Sequence, residues 1–389
     1  MISAVVAEFN PFHNGHAYLL SKAKENCDAV IAIMSGNFVQ RGDLAIYEKH
    51  LRAEFALKNG ADLVVALPAG WSMSGAENFA FGAVSVIKNL KIAERIVFGC
   101  ENDSLSLLNK TADILDSGEL NLKIKDYLSK GVTYAAARQQ AVAEIDGKCS
   151  EILSLPNNIL ATEYIRAAKK LSFPAEFLPV KRIGVDHDSD SIIENVASAS
   201  KIREIIKSNG DFSKLVPENI LKQMHNNEAS DLALIDSALL FKLRSFSIDN
   251  IKNLPDISEG IENRIYECIK TAKTFDELCN KIKTKRYTYS RIKRILLCAC
   301  FGIDSSFLKA EPPYIHIIGA TAKGIDMISA IHKISDTPII VSAKDSLSLD
   351  GFAKKVFDTE RIADDLYALS FKTPKNSGGA LTYPLIKLN

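Results

Sequence analysis

No apolar run in the sequence reaches the roughly 18 residues that a membrane-spanning helix needs. The opening residues, MISAVVAEFNPF, place no basic cluster ahead of an apolar stretch, so no secretory leader is expected and a cytoplasmic protein is. Cysteine is sparse. The seven thiols (Cys27, Cys100, Cys149, Cys268, Cys279, Cys298 and Cys300) are scattered and none has CxxC spacing. Cys298 and Cys300 form a CxC pair on a helical pattern, where they diverge around the axis, so reduced thiols are the expectation. No Cys/His grouping suits a zinc site. Neither sign of charge is in excess: 48 Lys and Arg stand against 47 Asp and Glu. A polyanionic partner would have to meet a local patch. No GxGxxG follows the first strand-like run and no GxxxxGK[ST] occurs, which argues against a dinucleotide-dependent dehydrogenase and a P-loop enzyme.

What is present is a chain of 389 residues, 47% hydrophobic and 24% charged, ordinary for a folded soluble protein. That length exceeds one compact core, so two or three domains are expected. The first half alternates short apolar, β-branched runs with helical spacing. Residues 3–9, 29–34, 62–67, 95–99 and 175–180 read as strands, while 16–25, 48–58 and 75–89 read as helices. Segment 104–170 is mainly helical around the LPNNI interruption at 155–159, and another helix spans 198–207. Such alternation predicts an α/β fold with a doubly wound parallel sheet. Ligands of such sheets sit beyond the carboxyl ends of the strands, which directs attention to residues 8–16, 35–42 and Gly99.

The turn at 209–211 marks the expected boundary between domains 1–210 and 211–389. Beyond it, 216–301 is mainly helical. A small C-terminal α/β unit follows (strand YIHIIGA, helix 323–333, strand TPIIVSA), expected to share the packing of the helical region. There is no internal repeat and no low-complexity tract.

The chemistry concentrates in AEFNPFHNGH, residues 7–16. A strand delivers the chain to its carboxyl edge, Pro11 turns it, and Gly15 permits close packing where a helix begins. His13 and His16, three apart at that start, present both rings to one side. The helix N-terminus already favours phosphate, and two imidazoles add donors that can follow charge developing on a phosphoryl group.

HNGH resembles the HIGH-type motif of the nucleotidyltransferase superfamily, whose members attack the α-phosphate of ATP and expel pyrophosphate. The longer string around it, with MSGNFVQRG (34–42), LPNNILATEY (155–164), KRI (181–183), SASKIR (198–203) and KRYTYSRIKRILL (285–297), resembles the tRNA(Met) cytidine acetate ligases along essentially the whole chain. The resemblance implies a nucleotidyltransferase domain that adenylates acetate with ATP, with Mg²⁺ on the nucleotide phosphates. It further implies transfer of the acetyl group to N4 of the wobble cytidine of elongator tRNA(Met). No stable protein partner is implied.

Carried over position by position, the ATP would be wrapped by Val6, Ala7, Glu8, Phe9, Asn10, Pro11, Phe12, His13, Asn14, Gly15, His16, Ala17, Tyr18 and Leu19, with His13 and His16 catalytic. Gly99 would allow a close backbone approach. Asn157 would read the adenine edge or ribose, and Arg182 with Ile183 would contact the nucleotide. SASKIR resembles the superfamily's second phosphate motif. Ser198 or Ser200 would supply a hydroxyl and Arg203 would reach the β- and γ-phosphates; Ala199 and Lys201 depart from the usual motif, so which serine acts stays open. Arg41 is a further candidate cation, whereas Lys22 and Lys24 read as solvated.

In KTKRYTYSRIKR, Lys283, Lys285, Arg286, Arg291, Lys293 and Arg294 surround Tyr287 and Tyr289. Cations attract RNA phosphates and tyrosine rings stack on bases, so this segment is expected to meet the tRNA. Two other readings use the same first half: an adenylyltransferase acting on a small phosphorylated substrate, and a non-catalytic nucleotide-dependent RNA-binding protein. The first leaves the basic segment idle, and the second has no need of two histidines.

Overall fold

The computed structural model describes residues 1–182, 195–258, 260–284 and 286–388. Among the described residues, five strands of the first half form the main sheet: β1 (Ile2–Ala7), β2 (Ala29–Ser35), β3 (Leu63–Leu67), β4 (Arg95–Cys100) and β5 (Glu176–Lys181). They run parallel in the order β3-β2-β1-β4-β5. β2 and β3 are buried along their whole length, as strands covered on both faces must be.

Alternation along β1 sends Ala4 and Val6 to one face and Val5 to the other. The first face is covered by α3 (Ala76–Leu90) and α4 (Pro156–Lys170). The second is covered by α1 (Asn14–Lys24), α2 (Lys49–Lys58) and α5 (Ala199–Lys207). The sheet is therefore doubly wound. The chain leaves β1 toward β2 on one side and returns as β4 on the other, which makes the carboxyl ends of β1 and β4 the topological switch point. Residues 8–16 and Gly99 lie there.

The C-terminal α/β unit rejoins this sheet instead of packing with the helical region alone. β6 (Ile315–Thr321) pairs antiparallel with β3, and β7 (Ile339–Ile340) and β8 (Ile386–Leu388) pair parallel with β6. β7 is shorter than the seven-residue run read from the sequence. Asp345 accepts from the backbone N–H groups of Val341 (3.0 Å) and Ser342 (2.8 Å), a cap that starts a short helix where the strand would continue. Between the two sheet portions the chain is helical and ends in α6 (Tyr289–Phe301). The longest helix, α7 (Gly351–Ala368), was not anticipated from the sequence; its Asp364 meets Lys49 of α2 at 2.5 Å, both side chains buried. Among the described residues, no helix is long and apolar enough to cross a membrane.

Candidate active site

His13 is the N-cap of α1. Its Nδ1 accepts from the backbone N–H of Gly15 at 3.0 Å, satisfying one of the donors a helix start leaves over. This explains Gly15. A Cβ there would stand 2.8 Å from His13 Cε1, so any side chain would displace the ring. Burial, with the Arg182 and Arg203 charges adding to it, pushes His13 down to about 3. The ring is therefore neutral at physiological pH, and because Nδ1 accepts, its proton sits on Nε2.

His16 stacks on His13 with ring centroids 3.8 Å apart and planes 28° from parallel. Phe9 and Phe12, both fully buried, hold His16 by its edges at 5.1 and 5.7 Å. Burial, then the neighbouring His13 and Arg182, keep its pKa well below the usual imidazole value, against the Pro11 carbonyl. Two neutral rings thus present one face to an open cleft of about 170 Å³.

Val6, Ala7, Glu8, Asn10, His13, His16, Leu19, Gly99, Asn157, Arg182, Ser200 and Arg203 all line that cleft. Arg203 reaches it from α5, donating to the Asn10 carbonyl (2.6 Å) and to Ser200 Oγ (3.1 Å). The two serines of SASKIR separate in role. Ser198 caps α5 by accepting from the backbone of Lys201 at 3.1 Å, and Ser200 faces the cleft. The other candidates of the first segment support from behind or beside it. Phe9 and Phe12 are the floor under His16. Asn14 donates to the Asn195 and Lys214 carbonyls, and Tyr18 lies under Lys22. Pro11 follows a cis peptide bond, and neither it nor Ala17 lines the cleft. Ile183 lies outside the described residues.

Gly99 and Asn157 carry further information. A Cβ on Gly99 would meet only Arg182 Cγ at 3.6 Å, an ordinary contact. The protein itself does not require glycine there, so any such requirement comes from what enters the cleft. Asn157 donates its side-chain amide to Glu101 at 2.6 Å, and the same carboxylate accepts from the Asn157 and Asn158 backbones. Glu101 thereby caps α4 from a distant part of the chain.

Several lining residues carry no role in the sequence analysis: Gln40, Phe79, Phe98, Leu160 and Tyr164, beside the anticipated Arg41 and Ala199 of the SASKIR segment. The aromatic and apolar ones look like ordinary core positions in their helices and strands. Arg52 was also missed. Fully buried in α2, it donates to the carbonyls of Tyr47 (2.8 Å), Glu8 (2.6 Å), Ser35 (3.2 Å) and Gly36. One guanidinium thus ties the loop after β1 to the loop after β2. Burial brings it down to about 10, still charged at neutral pH.

The basic segment departs from expectation. Tyr287 is buried, bonded to Ser258 and covered by the Arg291 guanidinium at 4.4 Å. Tyr289 donates to Asp276 and lies under Lys293 at 5.3 Å. The Tyr287 ring is thus not presented for stacking on a base, while Tyr289 is half-buried, with its hydroxyl held by the exposed Asp276 and its ring under Lys293. Lys283 and Arg286 are exposed; Lys285 lies outside the described residues.

A family model described as HIGH Nucleotidyl Transferase matches residues 1–380. The chain is 41% identical over 360 residues to the tRNA(Met) cytidine acetate ligase of Clostridium tetani, covering 87% of this chain and 89% of that one. It is 38% identical to the protein of the same name from a Thermoanaerobacter species, over all of both chains. Among solved structures, Thermotoga maritima TmcAL matches with a TM-score of 0.91 at 30% identity, over 100% of this chain and 99% of that one. A second crystal form of that protein, bound with alpha-thio ATP, matches with a TM-score of 0.90 at the same identity and coverage. The chain belongs to this family, the tRNA(Met) cytidine acetate ligases among the HIGH nucleotidyl transferases.

Proposed function

We propose that this protein activates acetate with ATP as acetyl-adenylate and acetylates N4 of the wobble cytidine of elongator tRNA(Met). The observation that carries the reading is the stacked, neutral His13–His16 pair at a helix start, sharing one cleft with Arg182 and Arg203 at the switch point of the sheet. The relatives' names support the tRNA and the acetate. The nucleotide is supported by the alpha-thio ATP in the Thermotoga neighbour.

The residues suit ATP. Arg182 and Arg203 bring positive charge, and the α1 and α5 N-termini favour phosphate. Mg²⁺ would arrive on the nucleotide's phosphates; among the described residues, no three His, Cys, Asp or Glu side chains gather to hold an ion. An acetate oxygen attacks the α-phosphorus and pyrophosphate leaves. His13, neutral with its proton on Nε2, acts as a hydrogen-bond donor that strengthens as negative charge builds, without giving up its proton. The cytidine amine then attacks the acetyl carbonyl, AMP leaves, and the amine loses a proton. Alignment serves both steps, since well-oriented groups reach effective molarities of about 10⁵ M or more. Residues 211–389, with exposed Lys283 and Arg286, would hold the tRNA.

The test is pyrophosphate release from ATP with and without acetate and bacterial tRNA, followed by nucleoside analysis. Acetate-dependent release with N4-acetylcytidine in the tRNA is expected. Release that ignores acetate but follows a phosphorylated small molecule would replace this reading with a cofactor adenylyltransferase.

A further inference from the structure

The turn that carries Gln40 and Arg41 into the cleft is not held by the main sheet. It joins two two-residue strands, Phe38–Val39 and Asp43–Leu44, and is gripped from two sides. On the cleft side, the Gln40 backbone N–H donates to Glu8 Oε1 at 2.8 Å. On the other side α6 packs against it. Gly42 has φ +68°, and a Cβ there would stand 2.7 Å from the Arg294 backbone nitrogen and 2.8 Å from Lys293 Cβ. Both the left-handed backbone and the contact therefore demand glycine. Lys293 Nζ donates to Asp43 Oδ2 at 3.0 Å, and Arg294 Nη1 donates to the Gln40 carbonyl at 3.4 Å. Residues 40, 42 and 43 are thus fixed to β1's loop or to α6, and Arg41 lies between fixed neighbours.

We propose that Lys293 and Arg294 of α6 are positioning residues for the nucleotide cleft, acting through Gly42 and Asp43 to set the place of Arg41. The proposal rests on the cleft being the ATP site. It assigns the basic residues at 293 and 294 to the chemistry of the cleft, in place of the RNA contact that composition suggests. It also divides the basic segment in two: exposed Lys283 and Arg286 precede α6, and the flank of α6 that meets Gly42 sets the cleft.

A double-mutant cycle tests this, with kcat/KM for acetate-dependent pyrophosphate release, fluorescent-ATP affinity and Tm measured for Arg41→Ala, Lys293→Met and the double variant. Each single variant should lose about tenfold or more in kcat/KM, with Tm changed by only a few degrees. The double variant should be no worse than Arg41→Ala, because both substitutions remove the same interaction. Lys293→Arg, which keeps the pair with Asp43, should restore most of the rate. Losses that multiply, or Lys293→Met with wild-type kinetics, would overturn the positioning role and leave the ligase reading standing. A wild-type chain that binds no ATP would sink the reading of the cleft and this proposal with it.

Discussion

Residues 7–16 and 283–294 both gather aromatic rings around groups that attract phosphate, and the fold uses them in different ways. In the first, Phe9 and Phe12 are buried so that His13 and His16 stay turned to the cleft. In the second, Tyr287 is buried, Tyr289 is half-buried against Asp276, and the cations beside them bond to the protein's own oxygens. Composition is the same kind of signal in both. What separates them is backbone context: a strand end, a turn and a helix start fix where two imidazoles must point, whereas a loop leading into a helix fixes nothing about which side of it is wet.

The largest expected effect breaks the first region. His13→Asn keeps an N-cap acceptor for α1 but removes the imidazole. Acetate-dependent pyrophosphate release should fall by about 10²–10³, as when a transition-state donor is lost, while Tm moves by a few degrees. Activity within a few-fold of wild type would remove His13 from the chemistry.

The same residue makes a stability prediction that the second region cannot, since 283–294 contains no histidine. His13 titrates near 3 in the folded protein and at about 6.5 in the unfolded chain. Between those values the unfolded chain binds a proton that the folded chain refuses. The free energy of unfolding should therefore fall as pH drops below 6.5, by about 1.4 kcal/mol per pH unit for this histidine. Urea unfolding from pH 7 to 4.5 checks it. His13→Asn should make the slope shallower without abolishing it, since buried His16 also resists protonation, and Lys293→Met should leave the His13 contribution in place.

Gly99→Ala is a smaller and cleaner probe. The site has room for the methyl group in the free protein, so stability should hold, while ATP affinity drops about tenfold, roughly 1.4 kcal/mol. Unchanged affinity in a fluorescent-ATP titration would mean that nothing approaches this backbone.

These cases show what was legible in the sequence and why. The strands and helices of the first half follow from apolar periodicity, and each lies within a few residues of its expected place. The HNGH geometry is local, with Pro11, Gly15 and the helix start all within six residues of one another. Arg52, Glu101 and Asp364 were illegible because their partners are remote. Arg52 gathers carbonyls from two loops, Glu101 caps a helix 56 residues away, and Asp364 meets Lys49 across 315 residues. The docking of β6 on β3 was hidden for the same reason: an apolar run announces a strand but not its neighbour.

The smallest expected effect asks what remains of the RNA reading once 293 and 294 serve the cleft. Lys283 and Arg286 are exposed at the start of the segment. Lys283→Ala with Arg286→Ala should weaken tRNA binding several-fold and reduce the slope of log affinity against log salt by roughly one per cation lost. Pyrophosphate release without tRNA should not change. Tyr289→Phe belongs beside it as the contrast: the lost bond to Asp276 costs about 1 kcal/mol of stability, and tRNA affinity stays level. If the phenylalanine variant weakens tRNA binding and the alanine pair does not, the Tyr289 hydroxyl leaves Asp276 to meet the RNA, and the difference between the two regions holds only for the free protein.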